Sequence, residues 1–446
     1  MTRPVMLWGM GALALLFSLA LLIPLGAAVA ADTGAILQSL AAERAEKTPA
    51  IEDQAGAHPL DSFYAALART AAKQPGAITR ICHFGDSLIE MDLVSGQARR
   101  RMQMKWGDAG HGWVNVSRPQ PWYRPYDVLH EPAASWIAYA LYDSSQKDRR
   151  FGLGGALSFA YKAKAEAVFG TSKKGQTGRS VSRFQILYPV DPQNGPLEVE
   201  VDGKRLGLIP TTGSPARDAY TEVAVADGAH ELTLVAPNKG TRAYGVILER
   251  DVPGVVYDAL GTNGVGAGAL LTIQRDHFIN MLRHRNPNLV ILSYGGNEAR
   301  SNFAPEQAKK DLLEDIAVVR QALPNVAILV TSPNDSALKQ GPNLVSDGRV
   351  QKVAAKQKEA AAEAKVAYWS IFEAMGGDGA MARWYQASPR LGAGDLLHPT
   401  PEGGVVLGNL LYNALMQDFA AYLQRGGGFG AARPATASPL QKINLQ

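Results

Sequence analysis

The fold is first indicated by the stretch ITRICHFGDSLIEMDLV, residues 78–94. An apolar run that reaches Phe84 predicts a buried strand ending at Gly85. Apolar residues then recur from Leu88 onward at helical spacing, so a helix is expected to begin at the carboxyl end of the strand. A strand, a sharp glycine turn and a helix in this order are typical of an α/β fold.

Two different patterns follow along the chain. Residues 129–250 contain period-two runs around Asp202-Gly203 and Asp227-Gly228, and each Asp-Gly pair predicts a hairpin turn. We therefore expect a β-sandwich inserted into the α/β domain. The α/β pattern resumes with the predicted strands 255–260, 289–294 and 326–330 and the predicted helices 270–282, 305–323 and 402–423.

The two ends of the chain differ from the middle. Residues 5–26 are almost continuously apolar, and Ala28, Val29 and Ala30 form an A-x-A cleavage site, so residues 1–30 are interpreted as a signal peptide, with an uncleaved anchor as the alternative. The rest of the chain is then expected in the periplasm or outside the cell. The predicted organisation is a linker over 31–58, an α/β domain in two parts over 59–128 and 251–425, the β-sandwich over 129–250, and a disordered tail over 426–446.

Composition excludes several classes of protein. Of the 446 residues 46% are apolar and 19% charged, with 45 basic against 41 acidic side chains, which is typical of a globular protein and not of a nucleic-acid binder. The longest basic run, residues 99–101, is interpreted as a solvated helix face. The single cysteine, Cys82, excludes an internal disulfide, and no histidine cluster has ligand spacing, so no catalytic metal is expected.

Ser87 is the candidate nucleophile. A serine on the turn between a buried strand and a helix lies at the carboxyl edge of a parallel sheet, where ligands bind. The alternative is that Ser87 only caps the helix.

A nucleophilic serine needs a base and a carboxylate that orients it. Asp395 and His398, three positions apart before the last helix, offer both. The spacing alone is a weak signal because it recurs at residues 127–130 and 227–230.

Donors for an oxyanion are expected at the same sheet edge. Asn297 follows the predicted strand 289–294, and Gly264 lies in a glycine-rich run after the strand 255–260. Both are also residues from which ordinary turns are made.

The order of these blocks resembles the SGNH, or GDSL, hydrolase superfamily. The resemblance implies a flavodoxin-like three-layer α/β/α domain and no cofactor. It assigns Ser87 as nucleophile, His398 as base and Asp395 as its partner, with Gly264, Asn297 and the Ser87 amide as the oxyanion hole.

A narrower resemblance is to periplasmic peptidoglycan O-acetylesterases. It is carried by the stretches 106–113 and 257–264 and by the inserted β-domain, which in those proteins looks like a carbohydrate-binding module with a jelly-roll-like sandwich. Glu298 stands where the commoner form of the third block has aspartate. Since this position is not a member of the triad, the assignment of the triad is unaffected.

Aromatic residues are concentrated in residues 106–136 and suit a glycan groove, although they also suit a packed joint between domains. Trp122 and Tyr123, in a proline-rich loop, are selected as the ligand contacts.

The sequence thus predicts an exported serine esterase that hydrolyses O-acetyl groups on a cell-envelope glycan, with peptidoglycan as the expected substrate. An exopolysaccharide O-acetyltransferase with the same triad and a glycan-binding protein with a silent catalytic domain are the alternatives. The expected partner is an O-acetylated cell-wall glycan; no nucleic acid is expected, and no membrane beyond the N-terminal anchor. The oligomeric state is left open.

Overall fold

The computed structural model describes residues 25–43, 46–53, 56–300, 303–430 and 437–446. Most of the predicted signal peptide therefore lies outside the described residues. Within the described ranges, no helix is both long and apolar enough to cross a membrane.

The secondary structure is a mixture of helices and strands. The elements before the β-rich region are α1 (Leu25–Ala41), α2 (Asp61–Ala71), β1 (Ile78–Gly85), α3 (Ser87–Glu90), α4 (Leu93–Trp106) and β2 (Gly112–Asn115). The β-rich region contains β3 (Val128–Pro132), β4 (Trp136–Ala140), β5 (Ala156–Ala160), β6 (Ala165–Thr171), β7 (Val181–Val190), β8 (Leu197–Val201), β9 (Lys204–Ile209), β10 (Arg217–Gly228), β11 (Glu231–Ala236), β12 (Arg242–Ala243) and β13 (Gly245–Glu249).

The remaining elements belong to the second part of the α/β pattern and to the C-terminus. They are β14 (Gly254–Gly261), α5 (Arg275–Arg285), β15 (Leu289–Ser293), α6 (Gly296–Arg300), α7 (Pro305–Ala322), β16 (Ala327–Thr331), β17 (Ala337–Gln340), β18 (Asn343–Ser346), α8 (Gly348–Ala364), β19 (Ala367–Trp369), α9 (Ile371–Ala374), α10 (Ala380–Gln386), α11 (Pro401–Gln424) and β20 (Gln441–Lys442). A short 3-10 helix, Leu270–Thr272, precedes α5.

The centre of the α/β part is a sheet of five parallel strands in the order β14-β1-β15-β16-β19. Counted along the chain, this order is 2-1-3-4-5, which is the flavodoxin-like topology. Helices α2, α4 and α11 pack on one face of the sheet, where Leu67, Met102 and Leu411 are buried. Helices α5 and α7 pack on the other face, where Leu282 and Ile316 are buried. The predicted three-layer α/β/α domain is confirmed.

The β-rich region forms a sandwich. Its two five-stranded sheets have the orders β2-β13-β7-β10-β20 and β3-β6-β11-β8-β9. Side chains of both sheets share one apolar core, with Phe184 and Ile186 from the first and Val199 and Leu234 from the second. The inserted β-sandwich is confirmed.

The two predicted Asp-Gly hairpins differ in outcome. Asp202 and Gly203 have φ of 52° and 76° and join the antiparallel strands β8 and β9, as a type I′ turn requires. The hairpin predicted at Asp227-Gly228 is wrong, because β10 pairs with β7 whereas β11 pairs with β6 and β8. The chain at this point crosses from one sheet of the sandwich to the other.

Strand β2 departs from the predicted organisation. It lies within residues 59–128, which were expected to be purely α/β, yet it pairs with β13 in the sandwich. It also contacts the central sheet, since the Trp113 amide donates to Asp258 Oδ1 at 2.8 Å. Strand β2 therefore joins the two parts of the molecule.

The predicted linker and tail also differ from the structure. Within residues 31–58, α1 continues to Ala41 and buries Ile36 in the α/β core. The disorder predicted for 426–446 is wrong for residues 437–446, where β20 pairs with β10, Leu440 is buried, and the main chains of Gln446 and Leu208 exchange hydrogen bonds. A few apolar side chains that pack on a preformed sheet order these residues, which composition alone does not reveal.

Candidate active site

Gly85, the last residue of β1, has no room for a side chain. A Cβ at Gly85 would lie 2.5 Å from Ile89 Cγ1 and 2.7 Å from the Ser293 carbonyl oxygen. Asp86, rather than Ser87, caps α3, because its side chain accepts a hydrogen bond from the Leu88 amide at 3.0 Å. The Ser87 hydroxyl is thus not used as a cap.

Three of the predicted site residues are in hydrogen-bond contact. Ser87 Oγ lies 2.8 Å from His398 Nε2, and His398 Nδ1 lies 2.7 Å from Asp395 Oδ2. An ionised carboxylate can only accept, so we assign the ring proton to Nδ1, which leaves Nε2 to accept from the Ser87 hydroxyl.

The Asp395 carboxylate is held by several donors. Its Oδ1 accepts from the amides of Leu397 and His398 at 2.9 and 3.1 Å. Burial acts to raise the pKa of Asp395, but these amides and the His398 side chain outweigh it and lower the pKa below its usual value. Asp395 therefore stays ionised opposite the imidazole.

The loop that carries His398 is fixed from a neighbouring loop. Leu396 has a φ of 60°, a left-handed conformation that is uncommon for leucine. The Asn334 side-chain amide donates to the Leu397 carbonyl at 2.7 Å, and the Ala337 amide donates to the Leu396 carbonyl at 2.9 Å. Sequence reasoning did not select Asn334, although its position after β16 at the carboxyl edge of the sheet was a usable signal.

The two predicted oxyanion donors lie on neighbouring loops. Gly264 follows β14 and has a φ of 77°, with open space where a Cβ would stand. Asn297 is in α6 after β15, and its side-chain amide donates one hydrogen bond to the Val265 carbonyl at 2.8 Å. The second amide hydrogen of Asn297 remains for another acceptor.

Glu298 is a site residue that sequence reasoning left without a role. Its two carboxylate oxygens accept from the Ala267 amide at 2.7 Å and the Gly295 amide at 3.1 Å. A Cβ at Gly266 would lie 2.5 Å from the Glu298 carboxyl carbon, so a side chain there would displace the Glu298 carboxylate. Glu298 thus links the loop of Gly264 to the loop of Asn297.

The same loop is held by a second carboxyl group, and this one is fully buried. Asp315, which is fully buried in α7, accepts from the Gly268 amide at 2.9 Å. Burial raises the pKa of Glu298 to about 7 and that of Asp315 to about 8. Both groups are therefore harder to ionise than ordinary carboxyl groups.

The predicted aromatic contacts separate into two kinds. Trp122 is 44% exposed, whereas Tyr123 is 4% exposed. The Tyr123 hydroxyl accepts from the Asn115 amide at 3.0 Å, and its ring packs edge-on against His130. The prediction that Tyr123 contacts the substrate is wrong, because the residue packs the joint between the domains.

Two further polar residues belong to the interior. Both ring nitrogens of His83 are bonded, to the Tyr257 hydroxyl at 2.8 Å and to Ser293 Oγ at 2.6 Å, so it is a core histidine. The solvated helix face predicted for residues 99–101 is wrong for Arg99, which is fully buried in an ion pair with Asp92 at 2.6 Å. In the part of the chain that the structure describes, no group of three or more His, Cys, Asp or Glu residues is arranged to hold a metal ion.

Comparison with protein families gives one match. Residues 220–404 match the GDSL-like Lipase/Acylhydrolase family. This range includes Gly264, Asn297, Asp395 and His398. Ser87 lies outside it, before the β-sandwich in the sequence. No curated protein matches the chain.

Comparison with solved structures supports the fold. A structure of a peptidoglycan O-acetylesterase has a TM-score of 0.70 and 23% sequence identity, over 83% of this chain and 99% of that chain. A family two carbohydrate esterase from Clostridium thermocellum in complex with cellohexaose has a TM-score of 0.26 and 12% identity, over 66% and 99%. A salicylyl-acyltransferase from a tetracycline biosynthetic pathway has a TM-score of 0.29 and 14% identity, over 67% and 95%. The last two scores are too low to support an argument. The family match over residues 220–404 and the fold shared with the peptidoglycan O-acetylesterase support the resemblance to SGNH, or GDSL, hydrolases that the motifs indicate.

Proposed function

We propose that this chain is an exported serine esterase that removes O-acetyl groups from a cell-envelope glycan, and that the glycan is peptidoglycan. The observation that carries the proposal is the pair of hydrogen bonds from Ser87 to His398 and from His398 to Asp395, 2.8 and 2.7 Å long. A serine hydroxyl is a weak nucleophile until a base removes its proton, and this arrangement supplies the base and its orienting carboxylate.

In the first step Ser87 Oγ attacks the acetyl carbonyl carbon while His398 Nε2 takes the hydroxyl proton. The negative charge that forms on the carbonyl oxygen is stabilised by the amides of Ser87 and Gly264 and by the side-chain amide of Asn297. When the tetrahedral intermediate collapses, the bond to the sugar oxygen breaks and His398 gives its proton to that oxygen. The acetyl group is then bonded to Ser87.

In the second step water replaces the sugar. His398 takes a proton from the water molecule as the water oxygen attacks the acetyl carbon. The bond to Ser87 Oγ then breaks, His398 returns the proton to Oγ, and acetate is released. The side chains of His398 and Asp395 are 35% and 45% exposed, so water reaches the base. This exposure favours hydrolysis over transfer of the acetyl group to a second sugar.

Two observations support the substrate and the location. The solved structure with the same fold at a TM-score of 0.70 is a peptidoglycan O-acetylesterase. The apolar segment 5–26, followed by the A-x-A site at 28–30, supports export across the inner membrane, and peptidoglycan lies on the outer side of that membrane.

The substrate is tested by acetate release from three esters at matched acetyl concentration: purified O-acetylated peptidoglycan, acetylated xylan and a short-chain lipid ester. We expect the fastest release from peptidoglycan. Rapid release from xylan or from the lipid ester, without release from peptidoglycan, would contradict the proposed substrate.

Two further assays separate the alternatives. Net acetylation of a glycan in the presence of an acetyl donor would identify a transferase. Failure of Ser87 to be labelled by a serine-directed phosphonate, together with tight glycan binding, would identify a silent catalytic domain.

A further inference from the structure

A groove of about 440 Å³, a volume typical of a small-molecule site, is formed in part by residues that closely follow Ser87 and His398 in the chain. It is lined mainly by Met91, Leu93, Pro121, Trp122, Tyr126 and Pro401. Met91 immediately follows α3, the helix that begins at Ser87, and Pro401 begins α11 three residues after His398. The groove thus lies between the segments that carry the nucleophile and the base.

Trp122 forms an exposed aromatic wall of this groove. The residue is 44% exposed, and its Nε1–H donates to Glu90 Oε2 at 3.2 Å. Glu90 is only 2% exposed and lies one helical turn after Ser87. The orientation of the ring is therefore fixed by a buried carboxyl group on the same short helix as the nucleophile.

The other end of the loop is held by its main chain. The Tyr126 amide donates to Asp92 Oδ2 at 2.9 Å, and Arg99 Nη2 donates to the Tyr126 carbonyl at 3.0 Å. Asp92 and Arg99 are 1% and 0% exposed and form an ion pair. Because both main-chain groups of Tyr126 are bonded to this buried pair, the groove is preformed, which lowers the entropic cost of binding.

The surface chemistry of the groove suits a sugar ring. Pyranose rings have an apolar C–H face that stacks on an indole, and hydroxyl groups at the edge that stay in contact with water. The apolar side chains form the floor and walls, whereas Arg124 adds a charged, exposed group at the rim. An open groove of this kind leaves the sugar hydroxyls hydrated.

We propose that this groove is a saccharide subsite, in which the ring next to the acetylated sugar stacks on Trp122 while the acetyl ester reaches Ser87. This inference rests on the proposed function, since it takes the substrate to be a glycan. Trp122 acts as a specificity determinant for the glycan, and Glu90 is a positioning residue that acts through Trp122.

The test compares Trp122→Ala with wild type on O-acetylated peptidoglycan and on 4-nitrophenyl acetate, which has no sugar. Loss of an aromatic stacking partner is expected to lower kcat/KM on the glycan by about tenfold or more, with a loss on the aryl ester at least about tenfold smaller. Met104→Ala, at a 59% exposed position on α4, is the matched control and is expected to behave as wild type on both substrates. Equal losses on both substrates, or no loss on either, would overturn the subsite.

A binding measurement tests the contact between Trp122 and the glycan independently of turnover. In the Ser87→Ala background, the Kd for soluble O-acetylated glycan fragments is expected to rise about tenfold or more when Trp122→Ala is added. An unchanged Kd would overturn the subsite even if acetate release from peptidoglycan is intact.

The choice of substrates separates failure of the subsite from failure of the proposed function. If wild type deacetylates xylan and not peptidoglycan, a selective loss of activity on xylan in Trp122→Ala would support the subsite while the proposed substrate fails. If only the lipid ester is hydrolysed, both proposals fail.

Discussion

Glu298 contacts both loops that carry the proposed oxyanion donors, so it is expected to set the distance between Gly264 and Asn297. We predict that Glu298→Ala lowers kcat for 4-nitrophenyl acetate by about tenfold or more and that Asn297→Ala lowers it by about a hundredfold or more, with little change in KM. Because Glu298 acts through the donor geometry, the double variant is expected to lose no more than about twofold beyond Asn297→Ala alone.

The control for this cycle is Glu314→Ala, at an exposed position on α7, which is expected to retain wild-type kcat. If the fold losses in kcat of the two single variants multiply in the double variant, Glu298 acts independently of the oxyanion donor. Thermal denaturation of each variant shows whether the loss of activity accompanies loss of the fold.

Trp122 and Tyr123 are neighbours whose exposure to solvent differs in the structure, although the local sequence does not distinguish them. Both stand in the same proline-rich loop, and both were selected as ligand contacts. Only Trp122 is exposed, because the Asn115 amide and the ring of His130 draw Tyr123 into the joint. These partners belong to other segments of the chain, so local spacing does not distinguish the two residues. Ser87, in contrast, is predictable because the strand and the helix that position it are its immediate neighbours.

The loop between β14 and the 3-10 helix is held by the buried carboxyl group of Asp315 and the half-buried carboxyl group of Glu298, and this makes stability depend on pH. Burial raises the pKa of Asp315 to about 8 and that of Glu298 to about 7, whereas in the unfolded chain such groups titrate near about 4. The folded state then binds more protons than the unfolded chain over this range, so the free energy of unfolding falls as pH rises from about 4 to about 8.

We predict that Asp315→Asn removes part of this fall, because asparagine still accepts from the Gly268 amide and does not ionise. Urea denaturation at pH 5 and pH 8 measures the effect, and the fall in the wild type should exceed that in Asp315→Asn by at least about 1.4 kcal/mol, the equivalent of one pKa unit. The same pH dependence in both proteins would show that Asp315 titrates normally.

The two Asp-Gly pairs stand between strands that differ in their pairing. Asp202-Gly203 closes a hairpin because the strands on either side of it pair with each other. Asp227-Gly228 has the same dipeptide and similar flanking runs, yet its strands find partners in opposite sheets. The dipeptide specifies a change of direction, whereas the pairing of the strands is decided by the packing of the sandwich.

At the scale of the whole molecule, the C-terminal residues tie the two parts of the chain together. Ser438 Oγ lies 2.6 Å from His284 Nδ1 in α5, and beyond the buried Leu440 the chain pairs with β10 of the sandwich. We predict that deletion of residues 437–446 lowers Tm by a few degrees, since the burial of one leucine contributes about 1.5 to 3 kcal/mol. The triad makes no contact with this segment, so kcat for 4-nitrophenyl acetate is expected to be retained. An unchanged Tm would show that β20 adds nothing to stability.

The order of the motifs predicts the α/β domain because a parallel sheet brings the carboxyl ends of its strands to one edge. Ser87 follows β1, Gly264 follows β14 and Asn297 follows β15, and these three strands are neighbours in the sheet. The same logic fails for β2 and β20, which are short and pair with strands far away in sequence. Their positions are set by the surface that the rest of the fold presents.

The proposed reaction requires the hydroxyl of Ser87 as the acetyl acceptor, and its critical test is acetate release from O-acetylated peptidoglycan by wild type and by Ser87→Ala. We predict steady release by wild type and a fall of about ten-thousandfold or more in the variant, as expected when the nucleophile of such a triad is removed. Release by Ser87→Ala at the wild-type rate would contradict it.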